Sequence, residues 1–143
     1  MRWLVLDEIL RIEKGRKVLA KSHVPETDEA SAEMLMIEMM AQTGGILLGA
    51  ESDFQENVVF AKIDEARFYP GFKPSEKIEI ESSSEALRPE GSWIQSVITS
   101  GRGKVAEARL MLANAGEIVP GRRESVTFHK TFMEHFKVRE KVK

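Results

Sequence analysis

Glu38 is the single ionisable residue between Met34 and Ala50, in a run otherwise made of methionine, leucine, isoleucine, alanine and glycine with Gln42 and Thr43. A carboxylate enclosed in apolar surroundings without a partner is costly, and burial favours its neutral form. Burial there would leave Glu38 an acid able to hold or deliver a proton near neutrality. Gln42, Gly45 and Gly49 follow at spacings of four, three and four residues, so on an α-helix they share one face with Glu38. That face is polar and small. Glycine inside a helix costs up to about 1 kcal/mol relative to alanine, so the glycines point to close approach of a sheet, a second helix or a ligand, with close packing the simpler use.

Other chemistries are narrowed by composition. The chain has no cysteine, which removes disulfides, thiolate nucleophiles and cysteine-ligated metals and fits a reducing cytoplasm. A metal would need histidine and carboxylates alone, and none is expected. The three histidines are His23, His129 and His135; the last two fall in a charged tail where nothing local positions them as bases. A formal net charge of -2 gives no broad attraction for nucleic acid. The apolar run at the start is too short for a signal peptide, and Glu38 with its neighbouring glycines interrupts the longer run before it spans a bilayer. A soluble, cytoplasmic protein is expected.

The 143 residues suit one domain with a true core. Residues 3–13 and 16–24 are rich in valine, leucine and isoleucine about Lys14-Gly15, which predicts a β-hairpin. After Pro25, Thr27 offers an N-cap, and Asp28 with Glu29 supplies acids for a first turn, predicting a helix from about residue 28 to Ala50. Apolar nearly all round, it should be enclosed on most sides. Four strands follow, over residues 58–69, 77–87, 92–100 and 104–113, joined by turns rich in proline and glycine. Ile78, Ile80, Ser82 and Ser84 alternate with Glu79, Glu81, Ser83 and Glu85, which leaves one sheet face wet. From Ser125, Phe128, Phe132, Met133 and Phe136 recur at helical spacing among basic residues, predicting an amphipathic helix whose aromatic face covers the sheet.

The block Leu35-Met-Ile-Glu-Met-Met-Ala-Gln42 resembles the central-helix motif of the beta-hydroxyacyl-acyl-carrier-protein dehydratases. Lys62-Ile-Asp-Glu-Ala-Arg-Phe68 with Pro70 and Pro74 is similar to that family's Lys-Ala-Arg-Phe strand and turn, and residues 105–112 are similar to its last strand. The likeness covers residues 3–114 and leaves the tail outside it. It implies an α+β hotdog fold, a curved antiparallel sheet wrapped round one long helix, assembled as a homodimer with composite sites. Glu38 matches the family's catalytic glutamate, which protonates the departing hydroxyl of a 3-hydroxyacyl thioester. The family's base, a histidine in a His-Phe-Pro-Gly loop, has no counterpart sequence here. The register that fits best makes residues 17–24 the second strand and leaves no room for that loop. A rival register takes His23-Val24-Pro25 as its remnant, with His23 as base.

The resemblance therefore implies a dehydratase in which Glu38 is the acid, Gln42 orients it, Gly45 lies along an acyl tunnel and no cofactor takes part. Acyl-carrier protein or a coenzyme A thioester would be the partner, with Arg67, Arg88, Arg102 or Lys104 available for docking. Two alternatives use the same fold: a non-catalytic acyl-binding or structural subunit, and an acyl thioesterase with Glu38 ionised.

Overall fold

The computed structural model describes residues 5–26, 30–84, 86–88, 90–116 and 128–143. Strands β1 (Glu8–Glu13) and β2 (Lys17–His23) form the expected hairpin, turning at Gly15, whose φ of +75° lies where glycine is favoured. Helix α1 (Ala32–Ala50) comes next, followed by β3 (Asn57–Phe68), β4 (Lys77–Ser83), β5 (Ser92–Ser100) and β6 (Gly103–Gly116). The strands make one antiparallel sheet in the order β1-β2-β4-β5-β6-β3. All six touch α1, so the sheet wraps round the helix in the hotdog arrangement that the resemblance implied.

Alternation decides what lies between sheet and helix. Val18, Ala20 and Ser22 of β2, Ile78, Ile80 and Ser82 of β4, and Ser92, Ile94, Ser96 and Ile98 of β5 are buried, with half-buried or exposed residues between them. The buried hydroxyls of Ser82 and Ser96 hydrogen-bond each other at 2.5 Å, so neither is left unsatisfied. From the helix, Met36, Met39, Met40, Thr43 and Leu47 are buried. Gly44 permits the closest approach: a Cβ there would lie 3.0 Å from Ile94 Cγ2 and 3.1 Å from Leu112 Cδ1.

Several boundaries differ from expectation. The helix starts at Ala32 rather than near residue 28, because the Ser31 hydroxyl, not Thr27, accepts the Met34 N–H at 3.1 Å. Thr27, Asp28 and Glu29 lie outside the described residues. Strand β4 stops at Ser83 instead of continuing to residue 87: the Ser84 hydroxyl donates to the carbonyls of Trp93 and Ala86 at 2.9 and 3.1 Å and turns the chain. The tail is two short helices, α2 (Lys130–His135) and α3 (Val138–Lys141), broken at Lys137, whose φ of 50° is left-handed. Its predicted beginning at Ser125 lies outside the described residues.

The aromatic face of the tail is buried as expected, but against the end of α1 and the edge of the sheet. Phe54, Phe128, Phe132 and Phe136 stack edge to face at successive centroid distances of 5.3, 6.0 and 5.0 Å. Val142 bridges Ile12 of β1, and the Lys143 N–H donates to the Ile12 carbonyl at 2.8 Å, so the tail blunts that sheet edge. At the other edge β3 pairs, among the described residues, with β6 alone, and it exposes Val59, Phe60 and Ile63, each 40–43% accessible.

Candidate active site

Helical periodicity places Glu38 on the side of α1 opposite the methionines that meet the sheet. Its neighbours on that side, Leu35, Ile37, Ala41 and Gln42, are half-buried, and Met34 is 64% exposed. Glu38 is itself half-buried, which corrects the expectation of an enclosed carboxylate. The physical reason is that the methionines of the first half of α1 turn to the core while Glu38 lies on the less buried side of the helix. One turn along, the Gln42 side chain donates from Nε2 to Glu38 Oε1 at 3.2 Å. That amide holds the carboxylate on the less buried side of the helix.

The glycines separate into different roles. Gly44 belongs to the packing against β5 and β6, whereas a Cβ on Gly45 would meet only Val58 Cγ1, at an ordinary 3.9 Å. Gly45 is buried, yet a methyl group there would make only an ordinary contact. Gly49 is closed by the tail: a Cβ there would fall 2.2 Å from Cζ of Phe128.

No histidine joins this group. His23 alternates with the inward-facing Ser22, so its side chain lies on the sheet face turned away from α1, 55% exposed and paired through Nδ1 with the Asp7 carboxylate. Strand parity thus keeps it from Glu38 of its own protomer. His129 caps α2 by accepting the Thr131 N–H on Nδ1 at 3.2 Å, and His135 packs on the Phe136 ring edge at 4.7 Å. Among the described residues no three histidine or carboxylate side chains cluster as metal ligands, and no helix is long and apolar enough to cross a membrane.

Three of the four cations expected at a docking surface are engaged within the protein. Arg67 pairs with Glu65 at 2.6 Å and Lys104 with Glu107 at 2.6 Å. Arg102 grips both carboxylate oxygens of Glu76 at 3.0 and 2.9 Å and donates to the Gly71 carbonyl at 2.6 Å. Those hydrogen bonds from Arg102, joined by one from the Lys73 N–H, hold the Glu76 carboxyl down at about 2. Arg88 is exposed and makes no side-chain ion pair among the described residues. It lines a groove of about 660 Å³ on the outer sheet face with Trp93, over which the Arg109 guanidinium stacks at 4.1 Å. The sequence reading missed this outer site; the outward parity of Trp93 and Arg109 was its available signal.

No family model matches the chain. The chain is 34% identical over 124 residues to the 3-hydroxyacyl-[acyl-carrier-protein] dehydratase FabZ of Hydrogenobaculum sp., covering 77% of this chain and 83% of that protein. A second FabZ, from Pelotomaculum thermopropionicum, is 30% identical over 122 residues, covering 78% and 87%. Among solved structures, the dehydratase heterocomplex ApeI:P from Xenorhabdus doucetiae superposes with a TM-score of 0.65 at 14% identity, covering 80% of this chain and 85% of that one. Zebra fish thioesterase superfamily member 2 superposes with a TM-score of 0.64 at 15% identity over the same shares. These two likenesses establish the hotdog fold, and the first two establish descent: the chain belongs to the family of FabZ 3-hydroxyacyl-[acyl-carrier-protein] dehydratases.

Proposed function

We propose that the protein dehydrates 3-hydroxyacyl thioesters carried by acyl-carrier protein or coenzyme A, with Glu38 as general acid. The observation that carries this reading is the Glu38–Gln42 hydrogen bond on the less buried side of α1, at the position of the family's motif. In the reaction a base takes the proton from the carbon next to the thioester carbonyl. The electron pair forms the new double bond, the carbon–oxygen bond at C3 breaks, and Glu38 protonates the departing hydroxyl as water. Gln42 keeps the acid aimed at that oxygen, and Gly45 leaves room for the acyl chain. Arg88, exposed and without an ion pair among the described residues, is the cation best placed to meet an acidic carrier.

The base comes from a second subunit. Glu38 has no histidine beside it in its own protomer, and among the described residues β3 is an edge strand with Val59, Phe60 and Ile63 exposed. Pairing of two copies along β3 would extend the sheet, cover those side chains and close the site over Glu38. In a homodimer the base is the partner's His23. A second reading, in which a different hotdog chain supplies the base, is favoured by the outward, Asp7-bound placement of His23.

Hydration of a short enoyl thioester, followed by loss of ultraviolet absorbance with free thiol monitored in parallel, tests these readings. Positioned acid–base groups are typically worth 10²- to 10⁴-fold, so Glu38→Gln should lose activity on that scale. Equal loss in His23→Ala identifies the homodimer base. Thiol release would point to a thioesterase, and inactivity of the pure chain would leave the role of an acyl-binding or paired subunit.

A further inference from the structure

The outer face of the sheet carries a groove that the Glu38 site does not use. Strand register sets Lys62 of β3, Met111 of β6 and Trp93 of β5 side by side across that face, and sets Arg109 of β6, Gln95 of β5 and Ser83 of β4 in the next outward row. The residues alternating with them, Leu110, Ile94 and Ser82, are buried toward α1, so these side chains point away from the helix. The groove encloses about 660 Å³, the size of a small-molecule site. Its described lining includes two arginines, Arg88 and Arg109, and no acid. Two further hollows along β4 are lined with acids, Asp7 and Glu79 in one and Glu79 and Glu81 in the other.

Both arginines are held in place. The Arg109 guanidinium lies 4.1 Å from the centre of the Trp93 ring and donates from Nη1 to Asp64 at 3.1 Å, while its other N–H groups donate to no described residue. Stacking on the indole fixes the plane of the fork, and a guanidinium is only weakly hydrated. The backbone of Arg88 is clipped to the buried Ser92 hydroxyl, which accepts the Arg88 N–H at 2.7 Å and donates to the Arg88 carbonyl at 3.0 Å. The Lys62 ammonium adds a third cation, 5.3 Å from the Trp93 ring.

We propose that this groove binds a phosphate group, free or borne by a small organic ester, as a ligand separate from the thioester. A guanidinium fork presents parallel N–H donors that match a pair of phosphate oxygens, and the groove brings two such forks together with the amide of Gln95 and the hydroxyl of Ser83. The sheet stands between the groove and α1, so the site does not depend on Glu38 acting as an acid. Arg88 can serve a phosphate or an acidic carrier but not both at once, so the two would exclude each other there.

Titration calorimetry of the full chain with inorganic phosphate, adenosine monophosphate and adenosine, at constant ionic strength, tests the inference. Fluorescence of Trp3→Phe, in which Trp93 is the sole indole, reports where binding occurs. At least one of the two phosphates should bind saturably and change the Trp93 emission, and adenosine should do neither. Arg88→Gln and Arg109→Gln should each weaken binding by about tenfold to a hundredfold, the scale of a hydrogen bond to a charged group. Arg109→Lys, which keeps the charge and loses the fork, should fall between wild type and Arg109→Gln. Arg88 is exposed outside the strands, so its variant decides the matter if Arg109→Gln does not fold. Tighter binding of the monophosphate than of inorganic phosphate assigns an ester, and equal binding assigns the free ion. No saturable binding of either phosphate, adenosine binding as tightly as its monophosphate, or an affinity unchanged in either glutamine variant overturns the inference.

Discussion

Gln42 donates to Glu38 across one helical turn, at 3.2 Å, with both residues half-buried. The carboxylate is thus oriented before any substrate arrives, by a side chain on the same rigid element. A hydrogen bond to a charged group contributes about 1.5–3 kcal/mol. If the amide aims the acid only while the hydroxyl departs, Gln42→Leu should lower kcat roughly 10- to 100-fold with KM nearly unchanged. Steady-state kinetics of enoyl hydration settle this, and a change confined to KM would assign Gln42 to ground-state binding instead.

Adjacent glycines should respond in opposite ways to the same substitution. Gly44→Ala drives a methyl group to within 3.0 Å of Ile94 and 3.1 Å of Leu112, and overpacking of this kind costs about 1–3 kcal/mol. Gly45→Ala meets only Val58 at 3.9 Å and should be neutral or gain up to about 1 kcal/mol from helix propensity. Urea unfolding of the two variants measures both. Under the proposed function, in which Gly45 borders the acyl chain, its alanine variant should also raise KM while leaving stability intact.

The clasp between Arg102 and Glu76 joins the β3–β4 loop to the β5–β6 turn, and it gives stability a pH dependence of known sign. Arg102 lowers the carboxyl of Glu76 from 4.5 to about 2 in the folded protein. A group whose folded value lies below its unfolded one binds fewer protons in the folded state. Its contribution is complete above about 4.5 and is lost as the pH falls from there through about 2. Melting temperatures measured across that range should fall more steeply for wild type than for Glu76→Gln; parallel curves would show that the clasp does not couple to folding.

A free strand edge with Val59, Phe60 and Ile63 exposed calls for a partner. Under the proposed pairing along β3, the wild type sediments as a dimer, and Ile63→Asp, by placing a charge in the interface, shifts it toward monomer and removes activity together with assembly. A monomeric wild type, or a dimer indifferent to this change, would sink the pairing.

Local periodicity alone carried much of this structure. The order of strands and helix, the inward set of Ile78, Ile80 and Ser82, and the common face of Glu38 and Gln42 follow from residue spacing, because a strand repeats every two residues and a helix every 3.6. The outward direction of His23 was present too, as the alternate of Ser22. Long-range packing decided the rest. Whether Glu38 is enclosed depends on which side of α1 the sheet reaches, and no periodicity in α1 states that. Which glycine is pressed against the sheet depended on Ile94 and Leu112, some fifty and seventy residues away in sequence. The helix began at Ser31 because its hydroxyl reached an orphan N–H that several nearby residues were equally suited to cap. The aromatic tail was legible as an apolar stripe, but only the fold brought Phe128 to Gly49, since contacts between distant segments are made by the folded chain as a whole.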